Sequence, residues 1–210
     1  IEVTFGRLAV TPEGYFDIVN FVSVWDVFAL DTPDEVYPTA VEDALFGGWL
    51  QLPRDADFDP HFPRVAEIWE AAAEERETVP YDGIISLTPA FVQKMMHLID
   101  EDITLSDGTV LTKYNATKVL EHDLYFKYFG QDARNFNVVE MDERNQQSDE
   151  LFSEAANAVI EKMFSDLDLD KLMTLIDIIE ECRDDRTLML WHEDEDKEAV
   201  IKDLHFDGGL

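Results

Sequence analysis

Positive charge is scarce in this chain of 210 residues, in which 16 Lys and Arg residues stand against 47 Asp and Glu residues and give a formal net charge of -31. Binding of nucleic acid depends on cations that displace counterions from phosphate, and anionic membrane surfaces repel negative charge. The composition therefore excludes nucleic acid and an anionic membrane surface as partners. It favours a well-solvated acidic surface, or one that attracts cations and basic partners.

Cysteine and long apolar runs are also nearly absent. The single cysteine, Cys182, cannot form an internal disulfide, and its helical spacing from Leu175 and Ile179 predicts a buried, unreactive thiol. No apolar run reaches the length of a transmembrane helix, and no signal peptide is present. The chain begins inside a predicted strand, so we expect a trimmed domain that lacks a preceding membrane anchor.

Motifs for catalysis or metal binding are missing as well. There is no GxSxG, no Gly-rich phosphate loop and no cysteine-pair metal motif. Residues 166–177 alternate carboxylates as a calcium loop does, but Lys171 stands where that loop needs glycine. We predict instead that Asp168 or Asp170 caps a helix, and that residues 192–198 form a strand end and a helix start. The sequence thus predicts no metal and no cofactor.

Turn signals and hydrophobic periodicity predict an α/β (α+β) fold, with a mixed central sheet, an N-terminal hairpin and helices packed on the sheet. We expect one domain over residues 1–210, because no linker or composition shift divides it. Hairpins are predicted around TPEG and SDGT. Helices are predicted at residues 39–46, after Asp59-Pro60, after Pro89, and over 112–128, 147–164, 170–183 and 195–204; a further strand is predicted at 187–191.

The junction YDGIISLTPAFVQKMM (81–96) combines a strand signal with a helix start. Ile84, Ile85 and Leu87 predict a short buried strand. Thr88 can cap the following helix through its hydroxyl, and Pro89 suits the first helical position. Such a junction is typical of an α/β unit and needs no catalytic explanation.

Two histidines have specific expectations. His97 lies in an apolar helical pattern, which predicts a buried or half-buried neutral ring. His122 and Asp123 are neighbours on a predicted helix, so their side chains should point in different directions, which argues against a catalytic pair.

The loop RDADFDPHFP (54–63) is the densest polar and aromatic segment. One interpretation is turn and capping chemistry around Asp59-Pro60. The other is a ligand or cation site that includes Arg54, Asp55 and Asp57. The sequence alone is compatible with both interpretations.

Together these segments resemble the DUF number 4012 family, a domain of unknown function. The family shows a hairpin, a D-x-N-x-x-x-D-F-P loop, a D-G-V-I-x-x-D-P junction and a D-G-x-x-L-x-x-x-N…D-x-Y segment. This chain departs from the family at Asp57, His61 and Thr88, which stand for Asn, Asp and Asp. The matching segments are GRLAVTPEGYFDIVNF (6–21), SVWDVFALD (23–31), RDADFDPHFPRVAEIWE (54–70), YDGIISLTPAFVQ (81–93), LSDGTVLTKYNATKVLEHDLY (105–125) and DGGL (207–210).

The resemblance implies a place outside the cytoplasm of high-GC Gram-positive cells, in a parent protein anchored in the membrane. A more distant similarity links the order of elements to LytR-CpsA-Psr proteins, which transfer lipid-linked glycopolymers onto peptidoglycan. Asp26 matches their Arg-Asp motif, but Trp25 stands where an arginine is expected.

Two functional classes stay open. The first is a non-catalytic envelope module that binds a cell-wall glycan or an envelope protein. The second is a divergent LytR-CpsA-Psr-like glycopolymer (phosphoryl) transferase, with Asp26, Asp55 and Asp57 gathered around a metal. For either class the candidate ligand-binding residues are Asp26, Arg54, Asp55, Asp57, Asn115 and Tyr125, which we expect at one end of the sheet.

Overall fold

The computed structural model describes residues 4–10, 16–23, 39–46, 53–75, 82–123, 127, 138–164 and 168–210. The chain divides into two compact units. The first unit combines residues 1–3, 24–86 and 183–210, and the second combines residues 4–23 and 87–182. Whether the two act as one domain over residues 1–210 stays a prediction.

The described elements follow the predicted order. They are β1 (Thr4–Val10), β2 (Phe16–Ser23), α1 (Ala40–Phe46), a 3-10 helix (Pro53–Phe58), α2 (Phe62–Glu75), β3 (Gly83–Leu87), α3 (Pro89–Ile99), β4 (Ile103–Thr104), β5 (Val110–Leu111), α4 (Ala116–Lys118) continued by a π-helix (Val119–Asp123), α5 (Val138–Phe164), α6 (Leu169–Asp184), β6 (Leu188–His192) and α7 (Glu195–Asp203).

The core of the first unit is built around α2. Helical spacing in the sequence predicts that Val65, Ile68, Trp69 and Ala72 form the apolar face of this helix, and all four residues are buried. The helix packs against the 3-10 helix and against β6, whose Trp191 is also buried. Burial of each large side chain contributes about 1.5–3 kcal/mol, so this face holds the unit together.

The core of the second unit lies among α3, α4, α5 and α6. Helical spacing in the sequence predicts an inward apolar stripe on α3 and another on α5, and both are confirmed. The α3 stripe consists of Phe91, Val92, Met95, Met96 and Ile99, and the α5 stripe consists of Leu151, Phe152, Ala155, Val159 and Met163. Cys182 is fully buried, as expected. α5 also packs against β2 and α3. The buried cluster consists of Met95, Met96, Leu98, Ile103, Leu105, Leu111, Ala116, Val119, Leu120, Leu151, Ala155, Val159 and Leu175.

Both predicted hairpins are present. β1 and β2 pair antiparallel, with a register irregularity between Arg7 and Leu8. β4 and β5 also pair antiparallel, around a turn in which the amide of Leu105 donates to the carbonyl of Thr109 at 2.8 Å. Gly108 has φ +85°, a left-handed conformation that favours glycine. The turn predicted at Asp107-Gly108 is therefore confirmed.

The predicted central sheet is not seen among the described residues. Their strands form three separate two-stranded sheets, β1–β2, β3–β6 and β4–β5, so the fold is mixed α+β and mostly helical. The expectation that β3 is buried is also wrong. Ile85 and Leu87 are 53% and 49% exposed, because residues two apart on a strand share one face and this face is open.

The expected hydroxyl cap on α3 is wrong as well. Thr88 occupies the N-cap position, but its side chain makes no cap hydrogen bond and its Oγ1 is buried without a partner among the described residues. The carbonyl of Thr88 instead accepts from the amide of Phe91 at 2.9 Å. The helix start at Pro89 is confirmed, and the helix ends at Asp100 in the left-handed conformation with φ 53°.

Some helix boundaries differ from the predictions. α5 begins at Val138, nine residues before the predicted start, because the polar residues 142–147 interrupt the apolar periodicity on which the prediction depends. α4 begins at Ala116 instead of at Thr112. The predicted helix stops at Gly47-Gly48 and Gly130 lie outside the described residues. No helix within the described ranges is long and apolar enough to cross a bilayer.

Candidate functional site

The structure describes four of the six predicted ligand-binding residues. Asp55 and Asp57 lie on the 3-10 helix that also includes Arg54, in the first unit. Asn115 belongs to the second unit. Asp26 and Tyr125 lie outside the described residues. A site shared by all six residues therefore stays a prediction.

The two carboxylates of the 3-10 helix differ in their surroundings. Asp57 is exposed overall, yet desolvation of its carboxyl group raises the pKa, and repulsion from Asp55 raises it further. Asp55 is half-buried. Two carboxylates on one short turn repel each other, so the turn is suited to receiving a cation or a hydrogen-bond donor.

Asp59 performs the turn chemistry that the sequence predicted for this loop. Its Oδ1 accepts from the amide of His61 at 2.9 Å, and its Oδ2 accepts from Nη1 of Arg64 at 2.6 Å. α2 then begins at Phe62, two residues after Pro60. The structural interpretation of Asp59 is thus confirmed.

Arg64 forms an ion cluster that sequence reasoning missed. Its guanidinium donates to both carboxylate oxygens of Glu42, with Nη2 2.7 Å from Oε2, as well as to Asp59. Glu42 is only 8% exposed, and the hydrogen bond from Arg64 lowers the pKa of that carboxyl from 4.5 to about 2. The Arg64 pKa is raised in turn, chiefly by Glu42. This cluster joins α1 to α2.

The same carboxylate caps α1. The amide and hydroxyl of Thr39 each donate to Oε2 of Glu42 at 2.7 Å, and the amide of Glu42 donates to Oγ1 of Thr39 at 3.3 Å. This reciprocal arrangement is a capping box, and the letters TAVE are its sequence signal. The sequence thus contained enough information to find Glu42.

Two of the segments that carry the family resemblance meet at His61. The amide of Leu210, in the DGGL segment, donates to Nδ1 of His61 at 3.1 Å. Gly208 has φ +61°, and a Cβ there would lie 2.4 Å from Sδ of Met189, so only glycine fits. Nη2 of Arg186 donates to the carbonyl of Gly209 at 3.2 Å. His61 therefore anchors DGGL to the start of α2.

The segment 107–115 uses its polar side chains to hold turns. Oδ1 of Asn115 accepts from the amide of Thr112 at 2.7 Å, and its Nδ2 donates to the carbonyl of Val110 at 3.0 Å. The carboxylate of Asp107 accepts from the amide and the hydroxyl of Thr109 and from Lys127. Asp107 and Asn115, two polar residues of the family motif in this segment, therefore hold its turns.

The same segment carries an exposed aromatic ring, that of Tyr114. Tyr114 is 79% exposed, and the edge of the His97 ring meets it at a centroid distance of 6.2 Å and an interplanar angle of 85°. Nζ of Lys113 lies 5.6 Å from the centroid of the same ring. The ring is thus contacted by an imidazole and by a cation, while most of its surface stays exposed to solvent.

Three acidic residues line a cavity together with this tyrosine. The cavity has a volume of about 50 Å³ and is lined by Met96, Asp100, Glu101, Asp102, Lys113 and Tyr114. Lys113 donates to Asp100, and this hydrogen bond lowers the pKa of the Asp100 carboxyl. We name the ring and the cavity lining the Tyr114 face. It combines an open aromatic surface with hydrogen-bond acceptors.

Both histidine expectations on the helices are wrong. His97 is exposed, because it lies on the solvent side of α3 where it contacts Tyr114. Nδ1 of His122 lies 3.0 Å from Oδ1 of Asp123, so these neighbouring side chains do meet. The Asp123 carboxylate also accepts from Lys118, which marks the group as an exposed ion cluster.

The acidic segments form helix caps. Oδ1 of Asp168 accepts from the amide of Lys171 at 2.8 Å at the start of α6. Oδ1 of Asp194 accepts from the amides of Asp196 and Lys197 at 3.0 and 3.2 Å at the start of α7. The capping interpretation is confirmed. Within the described part of the chain, no three His, Cys, Asp or Glu side chains are grouped to hold a metal ion.

The fold and these contacts define a strongly acidic α+β protein whose polar motif residues mostly make turns and helix caps. Residues 4–125, more than half of the chain, match the family model described as Protein of unknown function (DUF4012). The chain belongs to this family, as the resemblance indicated. No curated protein and no solved structure matches the chain, and nothing supports the more distant relation to LytR-CpsA-Psr proteins.

Proposed function

We propose that this chain is a non-catalytic module of the cell envelope, outside the cytoplasm in a membrane-anchored parent protein, that binds a cell-wall glycan. The observation that carries the proposal is the Tyr114 face. An open tyrosine ring, contacted by His97 and Lys113, lies next to three consecutive acidic residues, Asp100 to Asp102.

This combination suits a sugar. The apolar faces of sugar rings stack on flat aromatic surfaces, while their hydroxyl groups donate to carboxylates, which accept only. A neutral glycan also avoids the repulsion that a chain of formal net charge -31 exerts on anionic ligands. The Tyr114 face therefore supports glycan binding better than it supports binding of a phosphorylated ligand.

The alternative is a divergent LytR-CpsA-Psr-like glycopolymer (phosphoryl) transferase with a layered fold around a mixed central sheet. Such chemistry needs arginines or a metal to neutralise developing phosphate charge. Of the residues expected near that metal, Asp55 and Asp57 share one turn with no third metal-ligating side chain described beside them. No observation on the described residues favours this alternative, so binding is our conclusion.

Titration of the protein with soluble cell-wall glycan fragments, followed by calorimetry, tests the proposal. Tyr114→Ala should weaken binding about tenfold or more, because burial and stacking of one aromatic ring supply at least about 1.5 kcal/mol. Tyr114→Phe keeps the ring and should retain most of the affinity. Leu204→Ala, at an exposed position in the first unit, is the surface control.

Arg54→Ala tests the site predicted from sequence in the same assay. If Arg54→Ala abolishes binding of the fragments and Tyr114→Ala leaves the affinity unchanged, the site belongs to the 54–57 turn and the Tyr114 face is wrong. Equal affinities for all variants and the wild type, or no binding at all, would contradict the proposed function.

A further inference from the structure

α6 carries apolar residues on two faces. Leu175, Ile178, Ile179 and Cys182 face the core of the second unit. A second set is exposed and follows the helical spacing i, i+3, i+4, i+7: Leu169, Leu172, Met173 and Ile176, with exposed fractions of 72%, 39%, 54% and 43%. We name this second set the outer stripe. Single exposed apolar residues are ordinary, whereas four at this spacing form a continuous strip.

Carboxylates follow one side of the outer stripe. Asp170 and Asp177 lie seven residues apart, which is two helical turns, and both are exposed. Glu180 is exposed one turn beyond Ile176 and closes the stripe at its end. The face is thus an apolar strip about two turns long with an acidic border.

The charge pattern selects among the possible occupants of this face. Two copies of this chain packed stripe to stripe would bring acidic borders together in molecules that each have a formal net charge of -31, and like charges repel. An anionic lipid surface is repelled for the same reason. A partner with apolar residues flanked by Lys or Arg complements both the strip and its border.

We propose that the outer stripe docks an amphipathic helix with basic flanks from another protein. Helices of this kind insert apolar anchors at i, i+3, i+4 and i+7 against a partner surface of matching period. The lysines or arginines of the partner then pair with Asp170, Asp177 and Glu180 and fix its orientation. This inference is independent of the Tyr114 face and of glycan binding.

Two fluorescent peptides of identical composition test the proposal with the full chain. The first is a Lys/Leu peptide of about 18 residues with leucines at i, i+3, i+4 and i+7, and the second has the same residues in an order without that spacing. General attraction of a basic peptide to an acidic protein acts on both peptides equally. At about 0.15 M salt, anisotropy titrations should show the patterned peptide binding about tenfold tighter, because tenfold corresponds to one buried apolar side chain.

Paired substitutions test whether the outer stripe is the surface that binds the patterned peptide. Met173→Gln with Ile176→Gln should remove the preference for the patterned peptide, while Asp170→Asn with Asp177→Asn should weaken binding of both peptides. Val200→Gln with Leu204→Gln changes two exposed apolar residues, one in α7 and one directly after it, and should leave the preference intact. Circular dichroism confirms that each variant keeps its helices.

Three outcomes would overturn the proposal. The first is an equal affinity of the wild type for the two peptides. The second is a wild-type dimer, seen by light scattering, that the Met173→Gln/Ile176→Gln variant dissociates, since a second copy would then be the occupant. The third is binding to uncharged phosphatidylcholine vesicles that the same variant abolishes, since a lipid surface would then cover the stripe.

Discussion

Thr88 and Asp194 are each the N-cap residue of a helix, but only the side chain of Asp194 caps its helix by hydrogen bonds. Asp194 accepts from two free amides of α7. Thr88 leaves its hydroxyl buried without a partner among the described residues, and a backbone contact closes the turn instead. Residue type at a cap therefore predicts the position of a helix start better than it predicts the hydrogen bond made there.

We expect the two caps to respond differently to substitution. Asp194→Ala should lower the free energy of unfolding by about 1 kcal/mol through loss of a cap. Thr88→Val, which keeps the shape and removes the buried hydroxyl, should leave it unchanged or raise it by up to about 1 kcal/mol. Urea unfolding measures both. An equal loss in the two variants would show that the Thr88 hydroxyl has a partner after all.

At the scale of elements, the ion cluster that joins α1 to α2 predicts a dependence on pH. The pKa of Glu42 falls from 4.5 to about 2 on folding, first because of the hydrogen bond from Arg64. A lowered folded-state pKa means that the stabilisation is complete above about pH 4.5 and is lost as the pH falls towards 2.

Comparison of the wild type with Glu42→Gln isolates this contribution. The wild type should be the more stable protein above pH 4.5, and the difference in free energy of unfolding should shrink as the pH is lowered towards 2. Urea midpoints over this range measure the difference. Lys118→Gln, which breaks an exposed ion pair with Asp123, is the control and should cost no more than about 1 kcal/mol. A pH-independent difference would contradict the assigned pKa.

The sequence predicts an element correctly where residues close together in the chain determine it. The Asp107-Gly108 turn and the apolar face of α2 are specified by neighbouring residues, and both were predicted. The pairing of β3 with β6 joins segments about 100 residues apart, so no local signal identifies the partner strand. The central sheet expected from the sequence is not seen in the described part of the chain, and local patterns could not identify how its strands pair.

The candidate site follows the same rule. The Asp59 turn could be predicted because Asp-Pro chemistry acts within three residues. The Tyr114 face could not, because it depends on how α3 and the turn before α4 approach each other in space. The ligand role expected for Asn115 stays a prediction, and its amide group bridges two backbone groups of its own loop.

At the scale of the whole molecule, the formal net charge of -31 predicts that stability depends on salt. Like charges repel in the compact state, and salt screens them. We therefore expect the Tm to rise with NaCl. If screening raises the free energy of unfolding by about 1 kcal/mol, the Tm of a chain of this size should rise by about 3 °C. Thermal scans at increasing NaCl measure it. A constant Tm would contradict a destabilising role of charge repulsion in the folded chain.

The distance along the chain between β3 and β6 also affects how the protein is made. Ribosomes release a chain from its N-terminus, so β3 emerges about 100 residues before its partner strand. Closing a loop of that length costs about 4 kcal/mol of chain entropy on the simplest estimate. Until β6 arrives, β3 is an unpaired edge that presents Ile85 and Leu87, which is a surface prone to aggregation. A nascent chain that stops before residue 188 is therefore expected to depend on chaperones.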